Sequence, residues 1–371
     1  MTNVHIVYYN YLTPDGNQMS IGGIQTYITN LISVLHEFDT QVFVHQLSIL
    51  DFRKDIGNVT VLGYRIPKSR FQLKKFVYEV QKKICSSSDL TIIACDTCAV
   101  SSFPGKTIGI QHGIFWDKPD EICSNLKYFY IYIKKAIQAW RTIKRIGNVE
   151  ELVCVDYNFI NWYRALVPYP KVKLHAILNF CRIPNALPVK PNVSEGINII
   201  FARRFFPYRG TRIFASALTR LLQEYSFINL TIAGEGPDEF FLRKAFKNFR
   251  VNFIKYDSGD SLKIHENQHI ALVPTLGSEG TSLSLLEAMA SGCACVCTNV
   301  GGMTNIVLDH YNGLMISPND EDLYNALKKL VLDSDLRNTI SQNAYKTVSS
   351  TFGLENWKES WRRILQNKIH D

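Results

Sequence analysis

The chain has 371 residues, of which 46% are hydrophobic and 20% charged, and it carries a formal net charge of +8. This composition belongs to a globular protein long enough for two domains with separate cores, and it excludes a disordered or fibrous chain. No apolar run reaches the ~18–20 residues that cross a bilayer, and the first strand begins directly after Met1 with no signal peptide, so a cytoplasmic location is expected.

The cysteines are scattered. Cys95 and Cys98 make a lone CxxC, and Cys293, Cys295 and Cys297 alternate along an apolar run. That is the pattern of buried thiols in a reducing compartment, with neither a zinc site nor a disulfide framework. The positive charge favours anionic partners such as a nucleotide or lipid headgroups. No nucleic-acid-binding motif accompanies it.

In chain order, Val4–Tyr9 reads as a buried strand, followed by a polar loop, Gly22-Gly23 and an amphipathic helix from about Ile24 to Glu37. Further apolar runs at Gln41–Ile49, Leu90–Cys95, Thr107–Gln111 and Leu152–Val155 alternate with helical stretches. Such alternation predicts a parallel sheet covered on both faces. Gly22 and Gly23 stand where a loop approaches a ligand or simply turns. His112 follows the strand Thr107–Gln111, and in open α/β sheets ligands lie beyond the carboxyl ends of strands. Two segments combine basic and aromatic residues, Phe71–Lys83 (FQLKKFVYEVQKK) and Lys127–Arg145 (KYFYIYIKKAIQAWRTIKR). Either an ordinary solvated helix or one lying on an anionic membrane fits them.

Asn179–Glu195 contains Pro184, Pro188 and Pro191 and reads as a linker, so domains are expected at 1–183 and 196–354 with the linker at 184–195. A helix over about 355–371 is expected to return to the first domain. The second half restarts with the strand Ile197–Ala202, which runs into the basic loop RRFFPYRG holding Arg203 and Arg209. Ile228–Ala233, ending in Gly-Glu-Gly-Pro, and Val251–Tyr256 continue the strand set.

The most informative stretch is Ala271–Gly302 (ALVPTLGSEGTSLSLLEAMASGCACVCTNVGG). It reads as strand, small-residue loop, helix and strand, with Gly292 closing the helix. The helix begins where the backbone N–H groups of Gly280, Thr281 and Ser282 can meet an anion. Glu279 precedes it and Glu287 lies eight residues on. At ~1.5 Å per residue that places Glu287 about 7–8 Å along the axis from the first turn. A pyrophosphate at the helix end would bring a ribose to Glu287, with Glu279 on the far side of the phosphates. Asp333-Ser-Asp335 is a DxD by letters, but its helical context favours capping, and no metal site is expected.

Ser278–Gly302 resembles the E-x7-E donor motif of the family 4 retaining glycosyltransferases of GT-B fold. It keeps Glu279, Gly280, Leu283, Leu286, Glu287, Ala288, Met289, Ala290 and Gly292. It departs at Thr281-Ser282, commonly Phe-Gly, and at Cys293-Ala294-Cys295. The resemblance implies an α/β architecture of two Rossmann-like doubly wound domains facing across a cleft. It also implies metal-independent transfer of a sugar from a UDP- or GDP-sugar to a glycan or lipid-linked acceptor. Arg203 matches the family's diphosphate-gripping Arg, and Arg209 stands in for its Lys with one residue more between them. Glu287 takes the ribose role, Gly280–Leu283 the phosphate contacts, and Glu279, His112 and the Gly22-Gly23 loop lie about the sugar. A sugar-nucleotide epimerase and a non-catalytic binding protein are the alternatives. A polysaccharide-building role at the inner leaflet fits the basic, aromatic segments, and a nucleic-acid partner is not expected.

Overall fold

The computed structural model describes residues 2–20, 22–84, 86–119 and 125–369. The chain divides into two compact units, one of Met1–His112, Ile122–Leu178 and Trp357–Asp371, the other of Gly113–Glu121 and Asn179–Asn356.

The first unit is built on eight strands: β1 (Thr2–Val7), β2 (Thr40–Ser48), β3 (Phe52–Ile56), β4 (Val59–Arg65), β5 (Leu90–Ile93), β6 (Lys106–Gln111), β7 (Glu151–Cys154) and β8 (Lys173–Ala176). Their order is β3-β4-β2-β1-β5-β6-β7-β8. All pairings are parallel except β3 with β4. The central strands are covered on both faces: Leu90, Thr91, Ile92 and Ile93 of β5 are all buried. Helices α1 (Gly23–Leu35), α2 (Gln72–Gln81), α3 (Asn125–Ile146) and α4 (Tyr157–Leu166) belong to this unit. The β3–β4 hairpin turns at Gly57 and exposes Arg53, Lys54 and Asp55 at the sheet edge. Those charges hid it from the apolar-run reading and also blunt an edge that could otherwise pair with another chain.

The second unit carries β9 (Ile197–Ala202), β10 (Ile228–Ala233), β11 (Val251–Ile254), β12 (Ile270–Val273), β13 (Ala294–Thr298) and β14 (Leu314–Ile316). Here the order is β11-β10-β9-β12-β13-β14 and every pairing is parallel. The chain runs outward from β9 to β11, returns to β12 on the other side of β9, and runs outward again. The loops leaving β9 and β12 therefore part in opposite directions, opening the crevice in which such sheets bind ligands. Helices α5 (Thr211–Glu224), α6 (Glu239–Ala245), α7 (Ser261–Glu266), α8 (Leu283–Ala290), α9 (Asp320–Leu332) and α10 (Ser334–Thr351) complete this unit. Phe201, Phe214 and Phe246 stack between β9 and its helices, with the Phe201 and Phe214 centroids 4.2 Å apart. The strand β14, of three residues, is too short to announce itself in sequence.

The last helix, α11 (Leu354–Ile369), supplies residues from Trp357 onward to the first unit. Trp361, fully buried, donates its indole N–H to the Tyr27 hydroxyl at 3.0 Å. Arg362 reaches Glu37 through Nε at 2.7 Å and Nη2 at 3.1 Å. Replacing Trp361 by Ala is expected to cost ~3–5 kcal/mol of unfolding free energy through the cavity it leaves. Arg362→Ala, at a partly exposed pair, should cost under about 1 kcal/mol. Denaturant titrations of the two variants decide the point, and equal losses would refute this ranking.

Candidate active site

Three charged side chains meet where β9 and β12 diverge. Arg203 is the first residue after β9, Arg209 ends the one-turn helix Pro207–Arg209, and Glu279 lies in the loop after β12. Arg203 Nη2 donates to Glu279 Oε2 at 2.6 Å, and Arg209 Nη1 donates to the same oxygen. Thr275 Oγ1 adds a third bond to it at 3.1 Å. Arg203 Nη1 donates to Ser284 Oγ at 3.0 Å, which ties the guanidinium to the first turn of α8.

The three side chains are 5%, 13% and 10% exposed for Arg203, Arg209 and Glu279. Burial pushes the Glu279 carboxyl up, but Arg203 and Arg209 together pull it further down, and it stays ionised. Burial lowers Arg203 against the pull of Glu279, yet a guanidinium starts so high that it remains charged. Two guanidiniums against one carboxylate leave one positive charge in a largely dry site. The N-terminus of α8 adds backbone N–H groups with no acceptor inside the helix. Such an arrangement is chemically suited to an anion.

Close backbone packing builds this geometry. Gly210 sits at φ +84°, and a Cβ there would fall 1.8 Å from the Pro274 carbonyl oxygen. Only glycine lets the Arg209 turn lie against the end of β12, where the Tyr208 carbonyl also accepts the Leu276 N–H at 2.8 Å. A Cβ on Gly302 would meet the Gly280 carbonyl carbon at 2.4 Å. The Gly302 N–H bonds the Glu279 carbonyl at 3.0 Å, so Gly301-Gly302 clamps the loop that presents Glu279.

Glu287 lies within α8, where its Oε2 accepts the Ser261 hydroxyl at 2.5 Å. Burial raises its carboxyl to about 7, opposed by that bond. It therefore titrates near neutrality.

Residues 185–347, wholly inside the second unit, match the family model described as glycosyl transferases group 1. An uncharacterized glycosyltransferase of Methanocaldococcus jannaschii is 24% identical over 94% of this chain and 96% of its own length. Among solved structures, sucrose-phosphate synthase from Thermosynechococcus elongatus matches with a TM-score of 0.79 at 14% identity, over 100% of both chains. HepE of Anabaena in complex with UDP-glucose matches with a TM-score of 0.71 at 15% identity, over 99% of this chain and 100% of that one. The chain has the GT-B fold, and its second unit is similar to the glycosyl transferases group 1 family.

In this GT-B chain Gly280, Thr281, Ser282 and Leu283 all lie at the start of α8, with Ser282 as its N-cap. The remaining candidates belong to the first unit. Gly22 is the N-cap of α1 and Gly23 its first residue. His112 follows β6, donates Nε2–H to the Ala94 carbonyl at 3.0 Å, and meets the Tyr27 ring edge-on at 5.2 Å. A carbonyl can only accept, so Nε2 carries the hydrogen, and burial lowers the ring to about 4. His112 is thus neutral at ordinary pH and presents Nδ1 as an acceptor.

Four contributors escaped the sequence reading. Asp117 Oδ1 accepts the Ser278 N–H at 2.7 Å and holds Ser278 at φ +59°, a left-handed conformation rare outside glycine. Asn179 donates to the Thr281 carbonyl at 2.8 Å. Ser261 and Ser284 bond Glu287 and Arg203. Ser284 lies inside the E-x7-E stretch but at one of its unspecified positions, and Asp117 is more than a hundred residues from its partner. Asp333 caps α10 by accepting the Leu336 N–H at 2.9 Å, so the DxD letters serve a helix end. Among the described residues no group of three or more His, Cys, Asp and Glu could hold a metal ion. Seven described cysteines are free and buried.

Removing one member of a buried ion cluster strands the charge that it balanced. Glu279→Gln is therefore expected to cost ~3–5 kcal/mol of stability in urea titrations. Adding Arg209→Met to that variant should restore part of the loss, because one uncompensated guanidinium goes with it. Additive losses in the double variant would contradict a shared carboxylate.

Proposed function

We propose that this protein is a retaining, metal-independent glycosyltransferase. It would take a sugar from a nucleoside-diphosphate sugar, UDP- or GDP-linked, and pass it to a glycan or lipid-linked acceptor in surface polysaccharide biosynthesis. The observation that carries this reading is the placement of Arg203 and Arg209 on one carboxylate at the head of α8, with Glu287 farther down the same helix. The UDP-glucose bound to HepE supports a uridine-linked donor. The absence, among described residues, of a helix able to cross a membrane is compatible with work at a membrane surface.

In this reading the donor diphosphate rests on Arg203, Arg209 and the first turn of α8. Bidentate guanidinium contacts neutralise the charge that grows on the phosphate as the glycosidic bond breaks, which is the largest rate term expected. Glu279 orients the sugar. Glu287 accepts hydrogen bonds from the ribose hydroxyls, and the neutral His112 offers Nδ1 to a sugar hydroxyl. Gly22 and Gly23 leave room for the ligand. The acceptor oxygen attacks C1 from the face the phosphate leaves, and its proton passes to a phosphate oxygen, so configuration is retained without a protein nucleophile.

A thermal-shift and hydrolysis screen against UDP- and GDP-sugars tests the proposal. One donor should stabilise the protein and slowly release its nucleotide. Arg203→Ala should lower turnover by about a hundredfold to a thousandfold, and Glu287→Ala should abolish the stabilisation. Donor epimerised without an acceptor would favour the epimerase. Binding without turnover, even with membrane extract as acceptor source, would favour a non-catalytic binding protein.

The protonation of Glu287 gives a second test. Below about 7 the carboxyl is protonated and loses acceptor capacity; above it, both oxygens accept. Nucleotide affinity measured by calorimetry should rise with pH through that region and become flat in Glu287→Gln. A wild-type profile as flat as the variant's would remove Glu287 from the ribose site.

A further inference from the structure

Helix α3 (Asn125–Ile146) of the first unit turns its aromatic side outward. Phe129, Tyr130, Tyr132 and Trp140 are 60–67% exposed, and Ile133 and Ile137 are 41% and 44% exposed. The side facing the protein holds Ile131, Thr142 and Ile146, all buried. At 100° per residue, Phe129, Ile133, Ile137 and Trp140 form one stripe, and Lys144 falls within it. Lys134 and Arg141 flank the stripe on one side, exposed. The helix contains no acidic residue. A helix on a solvated surface carries its apolar side inward and mixed charges outward; this one does the opposite and carries one sign of charge.

We propose that α3 docks the protein on a membrane leaflet containing anionic phospholipid. The helix would lie in the interface, with Trp140 and the tyrosines at headgroup depth and the basic residues on lipid phosphates. Lys144 Nζ already stands 5.6 Å from the Trp140 ring centroid, so ring and cation occupy the same patch. Helix α2 extends the surface. It packs, as α3 does, on the short turn Asp96–Cys98. It exposes Tyr78, and the exposed Phe71 precedes it, with Lys82 Nζ 4.4 Å from the Tyr78 ring and the Arg70 guanidinium 5.3 Å from that of Phe71. The contact proposed is peripheral, made by the exposed side of α3 lying in the interface. Charge decides between occupants. A second copy meeting this face about a two-fold axis would set Lys134, Arg141 and Lys144 against one another, whereas a phosphatidylglycerol surface neutralises them.

The inference goes beyond the donor reading and holds without it, because the test contains no nucleotide. The full chain is floated with phosphatidylcholine vesicles, with and without phosphatidylglycerol, beside K134E/R141E/K144E and Trp140→Phe. Wild type should partition to the anionic vesicles, release with added salt, and show a blue-shifted tryptophan emission that Trp140→Phe lacks. Each basic residue near such a surface strengthens binding about fivefold, so the triple reversal should weaken partitioning by at least about a hundredfold. Unchanged circular dichroism in the variants keeps the comparison valid, since every altered side chain is exposed. Three results would overturn the proposal: equal partitioning of wild type and the triple variant, a wild-type dimer that Trp140→Phe dissolves, or a Trp140 signal that answers to RNA and not to vesicles.

Discussion

One carboxylate oxygen, Glu279 Oε2, accepts hydrogen bonds from Arg203, Arg209 and Thr275. Each partner comes from a different place: the end of β9, the turn before α5, and the segment just after β12. Two guanidiniums left together without an anion would repel each other in a largely water-free pocket, at an energy well above that of an exposed pair. Glu279 is what allows them to be stored side by side. The loop must then be held where its carboxylate points inward, which is the work of Gly210 against Pro274, Gly301-Gly302 against Glu279 and Gly280, and Asp117 beneath Ser278.

This arrangement also shapes the proposed chemistry. A donor diphosphate brings more negative charge than the single carboxylate, so it can share or displace the pairing while the arginines stay in place. The polar groups that would meet the leaving phosphate are then fixed before it arrives, and little reorganisation accompanies bond breaking. Arginine suits the task better than lysine because its planar fork can grip two oxygens and remains charged when buried. Here Arg209, standing where the resembling family has a lysine, also lays its guanidinium 5.0 Å from the Tyr208 ring centroid, while Lys118 Nζ lies 4.3 Å from the same ring.

Much of this could be read from the sequence, for identifiable reasons. Strands β9, β12 and β13 are covered on both faces, so their apolar runs are unbroken, and LLEAMASG has helical spacing with a glycine stop at Gly292, which takes φ +72°. The pairing of RRFFPYRG with the E-x7-E stretch was legible because both follow strands, and the second unit's strand order sets the two strand ends side by side. The β3–β4 hairpin and β14 were not legible, being respectively charged at a sheet edge and three residues long. Nor were Asp117, Asn179, Ser261 and Ser284, since a hydrogen bond between distant segments leaves no periodic trace. The direction in which α3 faces was equally hidden. Its composition admits either orientation, and only the burial of Ile131, Thr142 and Ile146 shows that the aromatic stripe looks outward.

The central claim is that the Arg203–Arg209–Glu279 cluster receives a nucleoside diphosphate. A crystal structure of the protein with UDP or GDP tests it most directly. The account predicts phosphate oxygens within hydrogen-bond reach of both guanidiniums and of the first turn of α8, and ribose hydroxyls on Glu287. A nucleotide bound elsewhere, with the Glu279 cluster undisturbed and no phosphate on either arginine, would contradict it.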